Sequence, residues 1–350
     1  MNSDLPTSPK KTRRMRTLFS LVALNLLLAG SAMAASSSTP TPEIWFFLRP
    51  YAVMANGVDG RQGWQELFLE PDAPWPPFMN DVRVVAFAGN MKTVPDEVLA
   101  QAFAKLKQKR IGFAIESLAQ SWVGYEQYKC GHGVEGYTDP PGNAQIARRI
   151  KAAGGELVYV TMDEPLYNGH YYNGPNACHS TIENVAERAA AVMREYQKVF
   201  PDVMIGDTEP FPVLSQQPDW QRDYREWMQA FDKAFGKPIA FLNMDIDWPR
   251  DHGHWQQSLK QAADFARANH LALGIVYNTA VPGGAKSDER WLKSAADNFT
   301  EIEKGLGIAP DKALFESWTP YPKRSITDAN GLGEDDLVKR YLQMHEVKGN

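Results

Sequence analysis

Short apolar runs, each followed by a longer segment with helical spacing, repeat from about residue 43 to the C-terminal end. The runs at 44–48, 82–88, 111–115, 157–162, 203–206, 239–244, 271–277 and 313–315 are rich in Val, Ile, Phe and Ala, as parallel strands buried on both faces are. Between them, 95–109 sets Val98, Leu99, Phe103 and Leu106 on one helical face. The segment 143–153 stops at Gly154-Gly155, and 181–200 opens on Ser180/Thr181 with Glu183 as a cap and stops at Pro201. Helices at 219–235 (ending at Gly236), 255–269, 288–305 and 334–346 complete the series. A helix thus follows each of strands two to eight, while the connection at 49–81 is long, Pro-rich and irregular. Such alternation predicts a parallel sheet with helices outside. Eight repeats fit a closed (β/α)8 TIM barrel better than a doubly wound sheet. The expected fold class is therefore α/β, with one barrel domain over 43–350. No second domain or short-period repeat interrupts it.

The 350-residue chain begins with a segment unlike the rest. Lys10, Lys11, Arg13, Arg14 and Arg16 precede an apolar stretch from 18 to 28, and Ala32-Met33-Ala34 has the small-x-small form of a cleavage site. This reads as a signal peptide over 1–34, followed by a polar linker over 35–42. The apolar stretch is short for a bilayer span, and Met15-Arg16-Thr17 lacks the apolar pair usual after a twin arginine. The net charge is −5, and removing the basic leader makes the remainder more acidic. That balance argues against nucleic acid and anionic membrane as partners. An exported chain with two cysteines, Cys130 and Cys178, predicts a disulfide in a periplasmic or extracellular setting.

The apolar runs stop repeatedly at carboxylates: Glu116, Asp163-Glu164, Asp207 and Glu209, Asp245 and Asp247, and Glu316. Asp81, before its strand, is the exception. In a (β/α)8 barrel the chemistry sits at the C-terminal ends of the strands, so these acids predict one cleft. Long loops at 119–141 and 166–179 fall on the same rim and would be tied together by Cys130–Cys178. They carry Trp122, Tyr125, Tyr128, Tyr137, Tyr167, Tyr171 and Tyr172, while Trp248 and Trp318 directly follow strand-end acids. Aromatic faces stack on the C–H faces of sugar rings and carboxylates bond hydroxyls, so a carbohydrate substrate is expected. About half of these aromatics are expected to pack loops instead.

Asp163-Glu164-Pro165 at the fourth strand resembles the Asn-Glu-Pro signature of the large clan of (β/α)8 retaining glycoside hydrolases. The resemblance implies an O-glycosyl hydrolase with Glu164 as general acid/base. Two departures stand out: Asp163 replaces the Asn, and strand seven ends Val276-Tyr277-Asn278-Thr279, without the clan's nucleophilic Glu. Glycosidic hydrolysis needs a second carboxyl. Asp247 and Glu209 are the favoured partners, with Asp245 and Glu316 also open. Asp163, Glu116, Glu316, Asp245, Asn278, Tyr277, Trp248, Trp318, Trp122 and Tyr167 are expected to bind substrate. Adjacent Asp-Glu is also similar to substrate-assisted N-acetylhexosaminidases, in which the Asp orients the acetamido group. Rival readings are a non-catalytic carbohydrate-binding barrel or degenerate glycosidase, and a metal-dependent hydrolase or lyase using Asp245, Asp247, His252 and His254. Neither a cofactor nor a metal is expected. No G-x-G-x-x-G follows a strand, no G-x-S-x-G elbow is present, and 56–60 lacks the spacing of a calcium loop. Oligomeric state, sugar and linkage are not encoded legibly.

Overall fold

The computed structural model describes residues 41–48, 67–70, 75–87, 94–121, 130–246, 255–280, 285–327 and 332–346. Its barrel strands are β1 (Glu43–Leu48), β2 (Val82–Phe87), β3 (Gly112–Leu118), β4 (Leu157–Asp163), β5 (Met204–Phe211), β6 (Phe241–Ile246), β7 (Ala272–Tyr277) and β8 (Lys312–Phe315). Every pairing is parallel, and β8 pairs with β1 to close the ring. The helices are α1 (Asp96–Lys109), α2 (Pro140–Ala152), α3 (Ile182–Gln197), α4 (Trp220–Phe235), α5 (Trp255–Ala268), α6 (Asp288–Thr300) and α7 (Asp335–Glu346). The expected single (β/α)8 barrel is present, with a helix after each of strands two to eight.

Local chemistry sets the boundaries. The Thr181 hydroxyl accepts from Asn184 N at 3.3 Å and so caps α3. Gly236 ends α4 at φ 88°, the left-handed cap that only glycine adopts without cost. Four strands outrun their apolar cores. β3 continues through Glu116 to Leu118, β4 takes in Asp163, β5 runs through Asp207 and Glu209 to Phe211, and β6 through Asp245 to Ile246.

Two hydrophobic layers result. One lies between sheet and helices. The other fills the barrel with Trp45, Phe47, Val84, Ala86, Ala114, Phe241, Val276 and Leu314, with Tyr159 and Trp318 packed against it. At the N-terminal end Lys312 Nζ bonds Glu43 Oε1 at 2.7 Å and lies over the rings of Trp45, Tyr159 and Phe241. This pair closes the floor opposite the rim.

Glycine permits the inner packing. A Cβ on Gly206 would fall 1.9 Å from the Phe241 ring, and that ring is pinned by Trp45 and Tyr159. Gly206→Ala should therefore cost about 1–3 kcal/mol through overpacking. A lowered urea midpoint at unchanged m-value checks it; an unchanged midpoint would show that the ring yields freely.

Candidate functional site

Period-two alternation decides which rim residues face the barrel axis. Ala114, Val276 and Leu314 belong to the inner layer, so Glu116 and Leu118 on β3, Asn278 beyond β7 and Glu316 beyond β8 continue that face. Thr161, Thr208 and Asn243 hydrogen-bond one another across the interior, which places Asp163 on β4 and Asp245 on β6 one pleat above, at the mouth. Leu118 pairs in register with Asp163 and is 42% exposed, an apolar step beside the acids. Trp318 is half-buried against the inner layer.

Glu164 follows β4 at φ 46°, a left-handed conformation that costs a non-glycine residue of order 1–3 kcal/mol. It is fixed from both sides: its N donates to Thr208 O at 2.8 Å, and its O accepts from Asn168 N at 3.0 Å. Pro165 then starts a helical turn, where its missing N–H costs nothing. Asn168 on that turn donates Nδ2 to Glu164 Oε2 at 3.0 Å. The turn's first free N–H groups, Leu166 and Tyr167, donate to Glu209 Oε1 and Oε2 at 2.7 and 3.0 Å.

Glu209 therefore does not stand in the cleft. It is fully buried on the outer face of β5, with both oxygens spent on the β4 turn. Asp207 faces the same way, accepting from Tyr224 OH at 2.7 Å and Trp227 Nε1 at 2.8 Å on α4. The expectation that these acids lie beyond the strand fails because β5 keeps its alternation past Gly206. Tyr277 likewise turns outward, where its hydroxyl donates to Glu303 at 2.7 Å, so it is no cleft residue. Asp81 sits before β2, at the opposite end from the mouth. Asp247, Trp248, Trp122, Tyr125, Tyr128, His252 and His254 lie outside the described residues, as do the leader and most of the linker. Tyr167 is half-buried on the turn that Glu209 holds.

Glu135, which the sequence did not single out, joins the cluster. Cys130 and Cys178 are bonded, with Cα atoms 5.0 Å apart, and Asn176 ties the same two loops through Gly131 N at 2.7 Å and His132 O at 2.8 Å. Gly136, at φ 80°, passes so close to β4 that a Cβ would meet Asp163 O at 2.9 Å. Its O accepts from Ala119 N and Gln120 N. The exposed Glu135 is thereby held beside Asp163 and Glu164. An acid between glycines in a cysteine-tethered loop was the available signal.

The cluster favours protonation. Burial, then the charges of Glu135 and Glu316, push Asp163 up to about 7. Burial, then Asp163, Asp245 and Glu135, raise Glu164 well above the usual carboxylate range, against a lowering by Asn168. On the outer face, burial pushes Asp207 up to about 7. The bonds from Tyr224 and Trp227 to its Oδ2 oppose that rise, while Oδ1 is buried without a partner. Asp163 and Asp207 start from 3.8, so between about pH 4 and 7 the folded chain holds protons the unfolded chain has released. Stability should fall as pH rises through that window. Asp207→Asn should flatten the slope in urea titrations at stepped pH, and an unchanged slope would remove Asp207 from the account.

Among the described residues no group of three or more His, Cys, Asp or Glu is arranged to hold a metal ion. None of their helices is long and apolar enough to cross a membrane. No protein-family model and no curated protein sequence matches the chain. Among solved structures it is similar to a glucosidase from Croceicoccus marinus, at 14% identity over 87% of this chain and 67% of that one, with a TM-score of 0.48. It is also similar to a GH10 endoxylanase from a sugarcane soil metagenome, at 12% over 87% and 97%, with a TM-score of 0.49. A third is an intracellular xylanase from Thermoanaerobacterium saccharolyticum, at 9% over 84% and 91%, with a TM-score of 0.47. At such identities and TM-scores the likeness says nothing of the reaction.

Proposed function

We propose that the chain is an exported glycoside hydrolase in which Glu164 donates the proton to the departing glycosidic oxygen. The observation that carries this reading is the setting of Glu164. It sits at the end of β4, oriented by Asn168, and burial, then the charges of Asp163, Asp245 and Glu135, raise it well above the usual carboxylate range, which favours the protonated form a general acid needs. Asp245 is the partner carboxylate: it faces the mouth from β6, and its charge acts on Glu164. As the bond breaks, positive charge develops at the anomeric carbon, and Asp245 stabilises it, either by direct attack or by activating water. Glu116 and Glu316 grip hydroxyls, while Leu118 and Trp318 supply apolar surface. Glu209 orients the turn that carries Asn168. The leader and the Cys130–Cys178 bond support export.

The test is product release from a chemically varied polysaccharide panel, read by mass spectrometry, with a chelator-treated sample alongside. Oligosaccharides from both samples are expected. Binding without products would replace the hydrolase by a carbohydrate-binding barrel, and products lost with the chelator would replace the two-carboxylate scheme by metal chemistry.

A further inference from the structure

The last turn of α7 carries His345, and both of its ring nitrogens are engaged. Nδ1 lies 2.9 Å from Tyr341 O, one turn back on the same helix, and Nε2 lies 3.0 Å from Glu303 Oε2. Glu303 belongs to the turn Glu301–Gly305 that follows α6. Its other oxygen accepts from Tyr277 OH at 2.7 Å. The His345 and Glu303 side chains are 15% and 6% exposed, so the pair is largely removed from water.

These contacts count protons. A carbonyl oxygen only accepts, so Nδ1 carries a hydrogen. A neutral imidazole would then turn the bare lone pair of Nε2 toward a carboxylate oxygen, which also only accepts. One proton therefore lies between Nε2 and Oε2. Three further features favour its place on the ring. The C-terminal end of a helix favours a cation. The Tyr341 ring lies 4.3 Å away, centroid to centroid, and its face attracts an imidazolium. The Tyr277 hydroxyl donates to Glu303, and an ionised carboxylate accepts that bond best.

Tyr277 from β7 and Tyr341 from α7 itself also face the pair. Burial above all raises both hydroxyls, so they stay neutral. From α6, Phe299 packs on Tyr341, while the Lys293–Asp297 ion pair is exposed. The short helix Pro77–Asn80 packs on α7 without a titratable side chain. Lys339 is bound to Asp335 and Asp336 in the first turns of α7. Glu301, Lys304, Arg340 and Glu346, nearby along the chain, are exposed. Tyr341 also packs on Tyr277 and Phe315, the last residues of β7 and β8. Asn278 and Glu316 follow them directly.

We propose that a proton held between His345 and Glu303 latches α7 to the back of β7 and β8, and that the latch opens as pH rises past neutrality. A histidine in the unfolded chain gives up its proton around pH 6.5; in the latch it keeps the proton to higher pH. The sign follows from that difference. The contribution is fully present from above the carboxylate range up to about pH 6.5, and it is lost as pH rises through the folded midpoint. Once the proton leaves, Nε2 and Oε2 repel, and the last turn of α7 parts from the turn at 301–305. The backing of the β7 and β8 ends loosens with it. The inference is independent of what the cleft binds or cleaves.

The experiment uses the purified, disulfide-intact protein with nitrogen-15 in its histidines. The chain has seven of them, and the His345 ring signals are those missing from His345→Gln. Long-range proton–nitrogen spectra across a pH series show which ring nitrogens are protonated. Hydrogen exchange of 335–346, corrected for the intrinsic pH dependence of exchange, follows the helix. At about pH 7.5, where a free histidine is about nine-tenths neutral, both His345 nitrogens should still be protonated. The midpoint should lie about one unit or more above the free value, a roughly tenfold tighter proton. Protection of 335–346 should fall about tenfold as pH passes that midpoint. Glu303→Gln should return the midpoint to the free value and remove the pH dependence of protection. A neutral His345 ring at about pH 7.5 overturns the proposal. So does protection of α7 that ignores the His345 titration, which would make the pair a static contact. If Glu303→Gln does not fold, the wild-type titration and exchange still decide.

Discussion

Glu164→Gln should lower kcat by about 10²–10⁴-fold, the range that a positioned general acid contributes, with KM nearly unchanged. The amide keeps the shape and the contact with Asn168 Nδ2 through its carbonyl oxygen, so substrate binding survives while the transferable proton is gone. The loss should depend on the leaving group. A natural sugar alcohol needs protonation to depart, and an acidic phenol does not, so an aryl glycoside should lose far less than an oligosaccharide. The pH profile supplies an independent reading. In the wild type the alkaline limb marks deprotonation of Glu164, displaced upward by burial and by Asp163, Asp245 and Glu135; in the glutamine variant that limb should vanish. Equal losses on both substrate types, with the limb intact, would clear Glu164 of the role.

The sequence carried the barrel because each strand is buried on both faces by an apolar run and each helix is marked by spacing and caps. Thr181, Gly236 and Pro201 all read correctly as punctuation. The rim was legible only in part. An apolar run that stops at Gly206 looks like a strand that stops there, yet hydrogen bonding carries β5 on to Phe211, so Asp207 and Glu209 keep the outward face. Their partners, Tyr224, Trp227 and the Leu166 and Tyr167 amides, come from elements distant in sequence. No local pattern reveals such pairings. Tyr277 was misassigned: strand alternation cannot put both Tyr277 and Asn278 in the cleft, and with Val276 in the inner layer it is Tyr277 that turns outward to Glu303. Glu135 carried one weak signal, an acid between glycines in a cysteine-tethered loop, but its place depends on a loop path set by the disulfide and by the close approach of Gly136 to β4.

Asp245→Ala should cost at least about 10²–10³-fold in kcat, the scale of removing one electrostatic group from a preorganised site, and Glu209→Gln should not. The two acids both belong to strands beside or near β4, and both interact with Glu164; they differ in facing. Asp245 looks into the mouth, so its removal strips the developing cation of its counter-charge and leaves a gap at the reacting centre. Azide admitted to that gap should restore part of the activity on an aryl glycoside and yield a glycosyl azide of opposite anomeric configuration, because it approaches from the face the carboxylate held. Glu209 has no path to substrate. Its glutamine variant keeps one acceptor where two amide N–H groups need a partner each, and the unmet bond should appear as about 1–3 kcal/mol of lost stability. If instead Asp245→Ala stays active and azide has no effect, the partner carboxylate is Glu316 from β8 or Asp247 beyond β6. The wild-type product anomer then decides between direct attack and water activation, since the first retains configuration and the second inverts it.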